Sequence, residues 1–262
     1  MPTTNLLDVS VVTPAYNCSK TILATIESVA NQTSSVREHI IVDDGSTDGT
    51  LDMLHEYAEK HSWLKILNQK NKGAGYARNL AIEAAKGKYI AFLDSDDLWL
   101  PEKIRTQVAH MESTTSVLSY GDYTEFDSVS GRPGRHFSLP NELSYDDLLR
   151  GCPIGCLTVA YDQSELGKCY MPAVRRGQDW GLWLQITRSG ARALKYPGNL
   201  ALYSVSPVSL SKNKIKKALD VYKIYWRYEK IGALRSLYFL FKHIQYVKNK
   251  REMHDNNYDN AP

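Results

Sequence analysis

Two hydrophobic periods alternate along the first hundred residues of this 262-residue chain, and this alternation limits its possible folds more than any other feature. Short runs rich in β-branched residues, such as Val9 to Thr13 and Ile40 to Val42, are each followed by a segment with apolar residues three or four positions apart. Strands that alternate with helices in this way pair in parallel through right-handed crossovers. The pattern predicts an α/β fold with a doubly wound, mostly parallel sheet.

Further apolar segments extend this α/β region. Leu64 to Leu67 and Tyr89 to Leu93 are expected to be strands, and Ala74 to Lys86 the helix between them. Residues 113–170 mix short apolar runs with a turn-rich stretch, which we interpret as a mixed extension of the sheet. Residues 178–189 favour one more helix.

The end of the chain differs from the rest in composition. Residues 212–250 have a helical pattern that is both aromatic and basic. From residue 205 onward the chain has 12 Lys and Arg against 5 Asp and Glu, whereas the preceding residues have 20 against 24. We therefore predict an α/β domain at residues 1–204 and a basic, aromatic helical region at residues 205–262.

Composition also bears on where the protein acts. The first residues lack the basic and apolar regions of a signal peptide, and no run approaches the roughly 18 apolar residues of a spanning helix. We expect a cytoplasmic protein that binds no nucleic acid. The four cysteines have neither zinc-site spacing nor the density of a disulfide framework, so we expect them to be reduced and structural.

Acidic residues follow the predicted strands where such sheets bind ligands. The loops at the carboxyl ends of parallel strands line the ligand cleft, and Asp94, Asp96 and Asp97 come directly after one such strand. Carboxylates two positions apart on an extended segment point to similar sides and can share a divalent cation with substrate phosphates. A solvated turn that caps the next helix is the alternative for these aspartates.

Other phosphate-binding and hydrolytic motifs are absent from the sequence. The only GxG, at Gly73 and Gly75, lies far from the first helix and lacks a third glycine, and there is no GxxxxGK[ST] loop. GSTDG at residues 45–49 is not a nucleophile elbow, and the seven histidines are scattered.

Four ordered motifs together resemble glycosyltransferase family 2, the inverting, nucleotide-sugar-dependent transferases with the GT-A fold. They are VSVVTPAYN, IIVDDGSTDGT, NKGAGYARNLAIEAAKGKYIAFLDSDDLWLPEKI and QDWGLWLQI, which span residues 9 to about 190. The resemblance implies a GT-A fold and transfer of a hexose or N-acetylhexosamine from a nucleotide-sugar donor. It also implies Mn²⁺ or Mg²⁺ as cofactor.

The resemblance further implies which residues bind the donor. Tyr16 would stack on the nucleobase, and Asp44 would accept a hydrogen bond from a uracil imide, which favours UDP. Lys72 would approach the nucleotide or phosphates, with a solvated loop charge as its alternative. The implied donor-binding set is Pro14, Ala15, Tyr16, Asp44, Lys72, Arg78, Asp94, Ser95 and Asp96.

The resemblance implies a metal site at one group of acidic residues and a catalytic base at another. Asp94 and Asp96 would hold the cation, with Asp96 the more direct ligand and Asp97 structural. Asp179 would be the general base that deprotonates the acceptor hydroxyl, next to Gln178 and Trp180 on the acceptor side. A single displacement would then invert the anomeric centre.

The sequence departs from the family pattern at two places. Gln178 stands where the family often has Glu, so it can bind an acceptor but cannot act as a base. The stretch from Tyr203 lacks the histidine that many members use near the metal or phosphates, which predicts an incomplete or weak metal site, or one shielded by Lys212 or Lys214.

These features predict transfer from a UDP-sugar to a saccharide or lipid-linked saccharide acceptor in bacterial surface glycan biosynthesis. The alternatives from other functional classes are a sugar nucleotidyltransferase and an inactive glycan-binding module. A nucleotidyltransferase would be expected to carry a glycine- and lysine-rich loop after the first strand, where this chain has PAYNCSK. The donor sugar, the acceptor and the linkage are not encoded in a recognisable motif.

The sequence does not specify what covers an apolar stripe in the C-terminal region. The stripe is formed by Leu234, Leu237, Tyr238, Phe241 and Ile244, with Tyr246 as a further candidate. Basic residues lie beside it, namely Arg235, Lys242, Lys248 and Lys250. The helix either packs on the catalytic domain or on a dimer partner, or it rests on an anionic inner membrane as a peripheral anchor.

Overall fold

A computed structural model describes residues 5–205 and 214–258 of the chain. The strands are β1 (Leu6–Ala15), β2 (Ser35–Asp43), β3 (Leu64–Asn68), β4 (Tyr89–Phe92), β5 (Leu98–Trp99), β6 (Leu118–Asp127), β7 (Pro133–Phe137), β8 (Glu142–Leu143), β9 (Ala160–Asp162) and β10 (Ala193–Val205). The α-helices are α1 (Ile22–Ala30), α2 (Thr50–Glu59), α3 (Ala74–Ala84), α4 (Lys103–Thr114), α5 (Tyr145–Arg150), α6 (Gln163–Leu166), α7 (Gln178–Thr187), α8 (Lys214–Lys223) and α9 (Ala233–Tyr258). A 3-10 turn at Cys156–Thr158 and a π-helical turn at Ile224–Tyr228 complete these elements.

All the strands join one sheet in the order β3-β2-β1-β4-β9-β6-β10-β5, with β7 added to β6 and β8 to β10. The first four strands run parallel to one another. Strand β9 is antiparallel to both β4 and β6, and β10 returns parallel to β6. The predicted doubly wound sheet with a mixed extension is therefore confirmed.

The parallel strands end together at one edge of the sheet. Ala15 of β1 lies opposite Asp43 of β2, and Val12 lies opposite Phe92 of β4. The chain continues this register beyond the strands, because the Asp44 amide donates to the Ala15 carbonyl at 2.7 Å. The loops after β1, β2 and β4, which carry Tyr16, Asp44 and Asp94, consequently meet at this edge.

Buried polar pairs lie between the central strands. Thr13 of β1 and His39 of β2 are hydrogen-bonded at 2.8 Å, and both are fully buried. Ser10 donates to the buried Glu38 at 2.6 Å, and the Lys86 amide donates to the same carboxylate at 2.7 Å. These pairs satisfy polar groups that would otherwise be costly inside a core.

The C-terminal helices pack on the α/β fold instead of forming a separate unit in the described residues. Val221, Ile224, Tyr225 and Phe239 belong to the same hydrophobic core as the central strands. A side chain at Gly151 would meet the Tyr246 ring at 2.4 Å, which shows how closely α9 covers this glycine. The division at residues 204 and 205 stays a prediction, and the two parts share one core.

The structure divides the predicted C-terminal helical region into two helices. The break falls at Lys230 and Gly232, which both have a positive φ that ends α-helical geometry. Lys212 and the side chains of Lys214 and Lys250 lie outside the described residues. No helix in residues 5–205 and 214–258 is long and apolar enough to cross a membrane.

The buried histidine should make folding acid-sensitive. Burial lowers the pKa of His39 to about 3, whereas an unfolded histidine titrates near 6.5, so the unfolded state binds the proton first. The free energy of unfolding should fall as the pH drops from 6.5 towards 3. Between pH 7 and pH 5 the wild type should lose about 2 kcal/mol more than His39→Asn, measured by urea unfolding.

The exposed His55 on α2 provides the matched control. The stability of His55→Asn should follow that of the wild type over the same pH range. If His39→Asn and the wild type lose stability in parallel, His39 is not the acid-sensitive group.

Candidate active site

A cleft of about 220 Å³ opens at the edge where β1, β2 and β4 end. It is lined by Pro14, Ala15, Tyr16, Asp44, Ala74, Arg78, Asp94, Ser95 and Asp96. The structure thus brings together eight residues that the sequence assigned to the donor, and adds Ala74. The sequence places these residues in three separate motifs, so only the folded sheet unites them.

The first wall of the cleft is the loop after β1. Tyr16 is half-exposed, so its ring is available at the mouth of the cleft. The following Asn17 has a φ of 49° and accepts a hydrogen bond from the Thr47 amide at 2.8 Å. This contact ties the β1 loop to the loop after β2 and holds the Tyr16 backbone in place.

Asp44 organises the second wall. Its carboxylate accepts hydrogen bonds from the Gln69 side chain at 2.7 Å, the Lys72 amide at 2.8 Å and the Gly73 amide at 2.7 Å. Gly73 has a φ of +100°, a conformation that favours glycine. Three of the roughly four acceptor positions of this carboxylate are therefore used internally, and recognition of a uracil imide by Asp44 stays a prediction.

The third wall contains the crowded aspartates. Asp94 forms an ion pair with the Arg78 guanidinium. Burial together with the charge of Asp94 raises the pKa of Asp96 to about 6. A group whose negative charge is disfavoured in this way is one that a bound cation would stabilise.

Asp97 is the structural member of the cluster. It is buried, and its carboxylate accepts a hydrogen bond from the Ser204 amide at 2.8 Å, while its carbonyl accepts from the Thr25 hydroxyl at 3.0 Å. Burial and the neighbouring Asp94 and Asp96 raise the pKa of Asp97 well above its usual range. Asp97 therefore fixes the loop to α1 and β10, which leaves Asp94 and Asp96 facing the cleft.

Arg78 of α3 is the central cation of the site. Only 6% of it is exposed. Burial opposes its charge, yet the nearby Asp94, Cys156 and Asp179 raise the pKa of Arg78 above its usual value. The Arg78 Nε atom is buried and has no hydrogen-bond partner among the described residues.

Asp179 lies in the first turn of α7, and its charge interacts with that of Arg78. Burial raises the pKa of Asp179, and the Arg78 guanidinium opposes that rise. The helix start is positioned by Gly75 of α3, because a Cβ there would approach the Gln178 Cγ atom to 3.2 Å. A carboxylate with a raised pKa is a stronger base than an ordinary aspartate, as proton abstraction requires.

Two residues predicted for the site lie elsewhere. Trp180 of α7 is 4% exposed, donates to the Leu148 carbonyl at 2.9 Å and stacks on His243. Its side chain therefore packs in the core, on the buried side of α7. The Trp180 side chain exposes too little surface to contact an acceptor, as the sequence had predicted it would. Lys72 lines a neighbouring cavity and not the donor cleft.

The donor set fits a divalent cation only in part. Asp94 and Asp96 supply hard carboxylate oxygens, which Mg²⁺ and Mn²⁺ prefer. Among the described residues no group of three or more His, Cys, Asp or Glu side chains could hold a metal ion. These residues therefore fit a cation that takes its remaining ligands from a substrate diphosphate and water.

Sequence reasoning missed residues that support the cleft. The Thr21 hydroxyl donates to the Ser95 carbonyl at 2.9 Å, which fixes the acidic loop against the start of α1. Cys156 in the 3-10 turn is buried, and burial raises the pKa of its thiol well above its usual range. The sequence motifs carry no signal for either residue, since both act through the packing of distant segments.

Comparison with known proteins gives consistent matches. The model of the family described as glycosyl transferase family 2 matches residues 10–160. The putative teichuronic acid biosynthesis glycosyltransferase TuaG of Bacillus subtilis is 37% identical over 243 residues, which cover 92% of this chain and 95% of TuaG. An Escherichia coli protein named UDP-Glc:alpha-D-GlcNAc-diphosphoundecaprenol beta-1,3-glucosyltransferase WfaP is 40% identical over 212 residues, 80% of this chain and 82% of WfaP.

Solved structures agree on the fold. Residues 1–349 of S. aureus TarS, crystallised with UDP, match with a TM-score of 0.65 and 22% identity over 88% of this chain and 69% of that one. The mannosyltransferase PcManGT of Pyrobaculum calidifontis, in complex with GDP-Man and Mn²⁺, matches with a TM-score of 0.65 and 19% identity over 89% of this chain and 69% of that one. The predicted GT-A fold is confirmed.

Proposed function

The chain belongs to glycosyltransferase family 2, and on this premise we propose that it transfers a hexose or N-acetylhexosamine from a UDP-sugar to a lipid-linked saccharide during surface glycan biosynthesis. The observation that carries the proposal is the cleft in which Tyr16, Arg78 and the aspartates Asp94 and Asp96 converge, with Asp179 electrostatically coupled to Arg78. Family membership disfavours the sugar nucleotidyltransferase, and the retained carboxylates disfavour an inactive glycan-binding module.

The proposed donor is a UDP-sugar because of the shape and chemistry of the first two walls. Tyr16 offers an open aromatic face for a nucleobase, and Asp44 holds the adjacent loop at the base of the cleft. TarS was crystallised with UDP and with UDP-GlcNAc, and the name of WfaP specifies UDP-Glc. WfaP is 40% identical and PcManGT, which was solved with GDP-Man, is 19% identical, so the comparison supports UDP over a purine nucleotide.

A divalent cation, Mn²⁺ or Mg²⁺, would be held by Asp94 and Asp96 together with the donor diphosphate. When bound, it would neutralise charge on the departing diphosphate. Arg78 contributes a permanent positive charge to the same wall and forms an ion pair with Asp94. The Mn²⁺ in the PcManGT complex supports this assignment.

Asp179 is proposed as the general base of a single displacement. An acceptor hydroxyl is a poor nucleophile until a positioned carboxylate takes its proton during attack. Attack on the face opposite the diphosphate would invert the anomeric centre. UDP-glucose carries its glucose in the α configuration, so the β linkage in the name of WfaP supports an inverting reaction in this group of proteins.

The apolar stripe of α9 is proposed to rest on an anionic membrane. Its five residues, Leu234, Leu237, Tyr238, Phe241 and Ile244, are each more than half exposed. The opposite face of α9 is docked, since Ser236 and Phe239 are buried and Tyr246 covers Gly151. The helix therefore packs on the catalytic domain with one face and leaves the apolar stripe uncovered by the described residues.

Charge complementarity favours a membrane as the occupant. Asp220 pairs with Arg176 at 3.5 Å and Glu229 with Arg188 at 3.8 Å, so the two acidic residues of segment 214–248 are neutralised by the catalytic fold. The same segment has nine Lys and Arg residues. Each basic residue near an anionic surface contributes on the order of 1 kcal/mol. A lipid-linked acceptor would be presented at such a surface, on the cytoplasmic face of the inner membrane.

The metal assignment can be tested by binding. Mn²⁺ should strengthen UDP binding to the wild type, and Asp96→Asn should remove most of that gain, measured by calorimetry. Because a protonated carboxylate does not bind the cation, the gain should also weaken as the pH falls below about 6, the raised pKa of Asp96. Asp52 is exposed and lies outside the cleft, so Asp52→Asn serves as control and should keep the full gain from Mn²⁺. If UDP affinity is insensitive both to Mn²⁺ and to Asp96→Asn, the metal assignment is wrong.

The general base can be tested by substitution with its amide. Asp179→Asn keeps the shape of the side chain but cannot accept a proton, so transfer should fall by roughly 10²-fold or more. UDP affinity should stay within twofold of the wild type, and the melting temperature should not fall. Near-normal transfer by this variant would place the base elsewhere, and a product with retained anomeric configuration would exclude the single displacement.

Membrane association can be tested without truncation, since removing the tail would open the shared core. The double variant Leu237→Ser, Phe241→Ser should bind anionic vesicles about tenfold more weakly than the wild type at low salt, because the lost apolar contacts anchor the helix. Co-sedimentation measures this binding, and wild-type binding should weaken with salt and on neutral vesicles.

The matched control is Val129→Ser, which replaces a 92% exposed apolar residue outside the stripe and should leave binding unchanged. Equal wild-type binding to neutral and anionic vesicles would contradict the proposal. If the wild type is a dimer and the double variant a monomer, the stripe is instead the interface between two copies.

A further inference from the structure

A second cavity lies beside the donor cleft. It has a volume of about 380 Å³ and is lined by residues 71–76, at the start of α3, and residues 173–175, in the loop before α7. It shares Ala74 with the donor cleft. The two spaces are therefore neighbours on the same face of the sheet edge.

The walls of this cavity are fixed by hydrogen bonds between distant segments. The side chain of Asn79 donates to the Met171 carbonyl at 2.9 Å and accepts from the Met171 amide at 2.8 Å. Arg176 pairs with Asp220 of α8 at 3.5 Å. The loop that carries residues 173–175 is thus held to α3 on one side and to α8 on the other.

The lining of the cavity is cationic and aromatic. Lys72 and Arg175 are exposed, and the side chain of neither has an ion-pair partner among residues 5–205 and 214–258. Tyr76 is half-exposed and belongs to the same lining. Two unpaired cations around an open cavity favour an anionic ligand, and phosphate oxygens are strong acceptors for such groups.

The cavity lies on the side of the proposed general base. Gly75 lines it, and Gly75 is also the residue against which Gln178 packs, one position before Asp179. A ligand in the cavity would therefore lie close to the acceptor hydroxyl. The donor diphosphate has its own place at Arg78, Asp94 and Asp96 in the other cleft.

We propose that this cavity binds the diphosphate of a lipid-diphosphate-linked acceptor, with Lys72 and Arg175 as its cationic ligands. The proposal rests on the proposed function and deepens it. When an acceptor sugar is joined to its lipid through a diphosphate on the anomeric carbon, the attacked hydroxyl is one sugar ring away from that diphosphate. A site for the anion must then adjoin the base, and Tyr76 offers a surface for the intervening sugar.

The proposal can be tested with decyl diphosphate as the probe, titrated by calorimetry into full-length protein that is already saturated with UDP and Mg²⁺. UDP fills the donor cleft, so further binding reports the second cavity. The wild type should bind the probe, and Arg175→Ala and Lys72→Ala should each weaken binding about tenfold, the loss of one charge-assisted contact. UDP affinity should be unchanged in Arg175→Ala.

Matched controls separate a built site from general attraction to positive charge. Lys70→Ala removes an exposed cation two residues from Lys72 that does not line the cavity, so it should bind the probe like the wild type. Decyl maltoside, which has the alkyl chain without the diphosphate, should bind the wild type and Arg175→Ala equally. Inorganic diphosphate should compete with the probe if the head group is what is recognised.

Three results would overturn the proposal. They are the absence of probe binding to UDP-saturated protein, displacement of the probe by UDP, and equal binding by the wild type, Arg175→Ala and Lys72→Ala. If the protein fails to bind UDP at all, the proposed function fails. The same titration without UDP then still shows whether Arg175 and Lys72 bind a diphosphate.

Discussion

The buried guanidinium of Arg78 is the interaction on which the candidate active site depends. Three aspartates within four residues repel one another, and burial makes their charges more costly still. Arg78 pairs with Asp94, while Asp97 is satisfied by the Ser204 amide. Asp96 has no ion-pair partner among the described residues, and burial together with the charge of Asp94 raises its pKa to about 6. Two of the three carboxylates are thus compensated by the protein itself, whereas the charge of Asp96 is not.

The same guanidinium interacts with acidic residues from two separate elements. Asp94 belongs to the loop after β4, whereas Asp179 belongs to α7, and both act on the pKa of Arg78. The N-termini of α3 and α7 approach closely because Gly75 leaves room for Gln178. The donor cleft and the second cavity adjoin at Ala74, which lines both. Under the proposed assignment of donor and acceptor to these two spaces, one small residue at their junction would let the reacting groups meet at little entropic cost.

The C-terminal helices connect this site to the surface of the molecule. Trp180 follows Asp179 directly and stacks on His243 of α9, and the Tyr225 ring packs edge-on against Trp180. The proposed base is thus supported from beneath by the region that also presents the apolar stripe. In the proposed function, the position of α9 on a membrane and the orientation of α7 would be linked, because Trp180 of α7 stacks on His243 of α9.

The sequence alone was sufficient to predict the alternating strands and helices, the family and most residues that line the cleft. The two hydrophobic periods predicted the parallel strands and helices, and four motifs predicted the family and eight residues of the cleft, since local spacing encodes both. The tertiary structure decided what depends on packing between distant segments. It placed Trp180 in the core, turned Lys72 towards a second cavity with Arg175, and left one face of α9 exposed while burying the other. The spacing of these residues in the sequence does not specify which segments pack against their side chains. Their burial depends on contacts that form only when the sheet and the C-terminal helices come together.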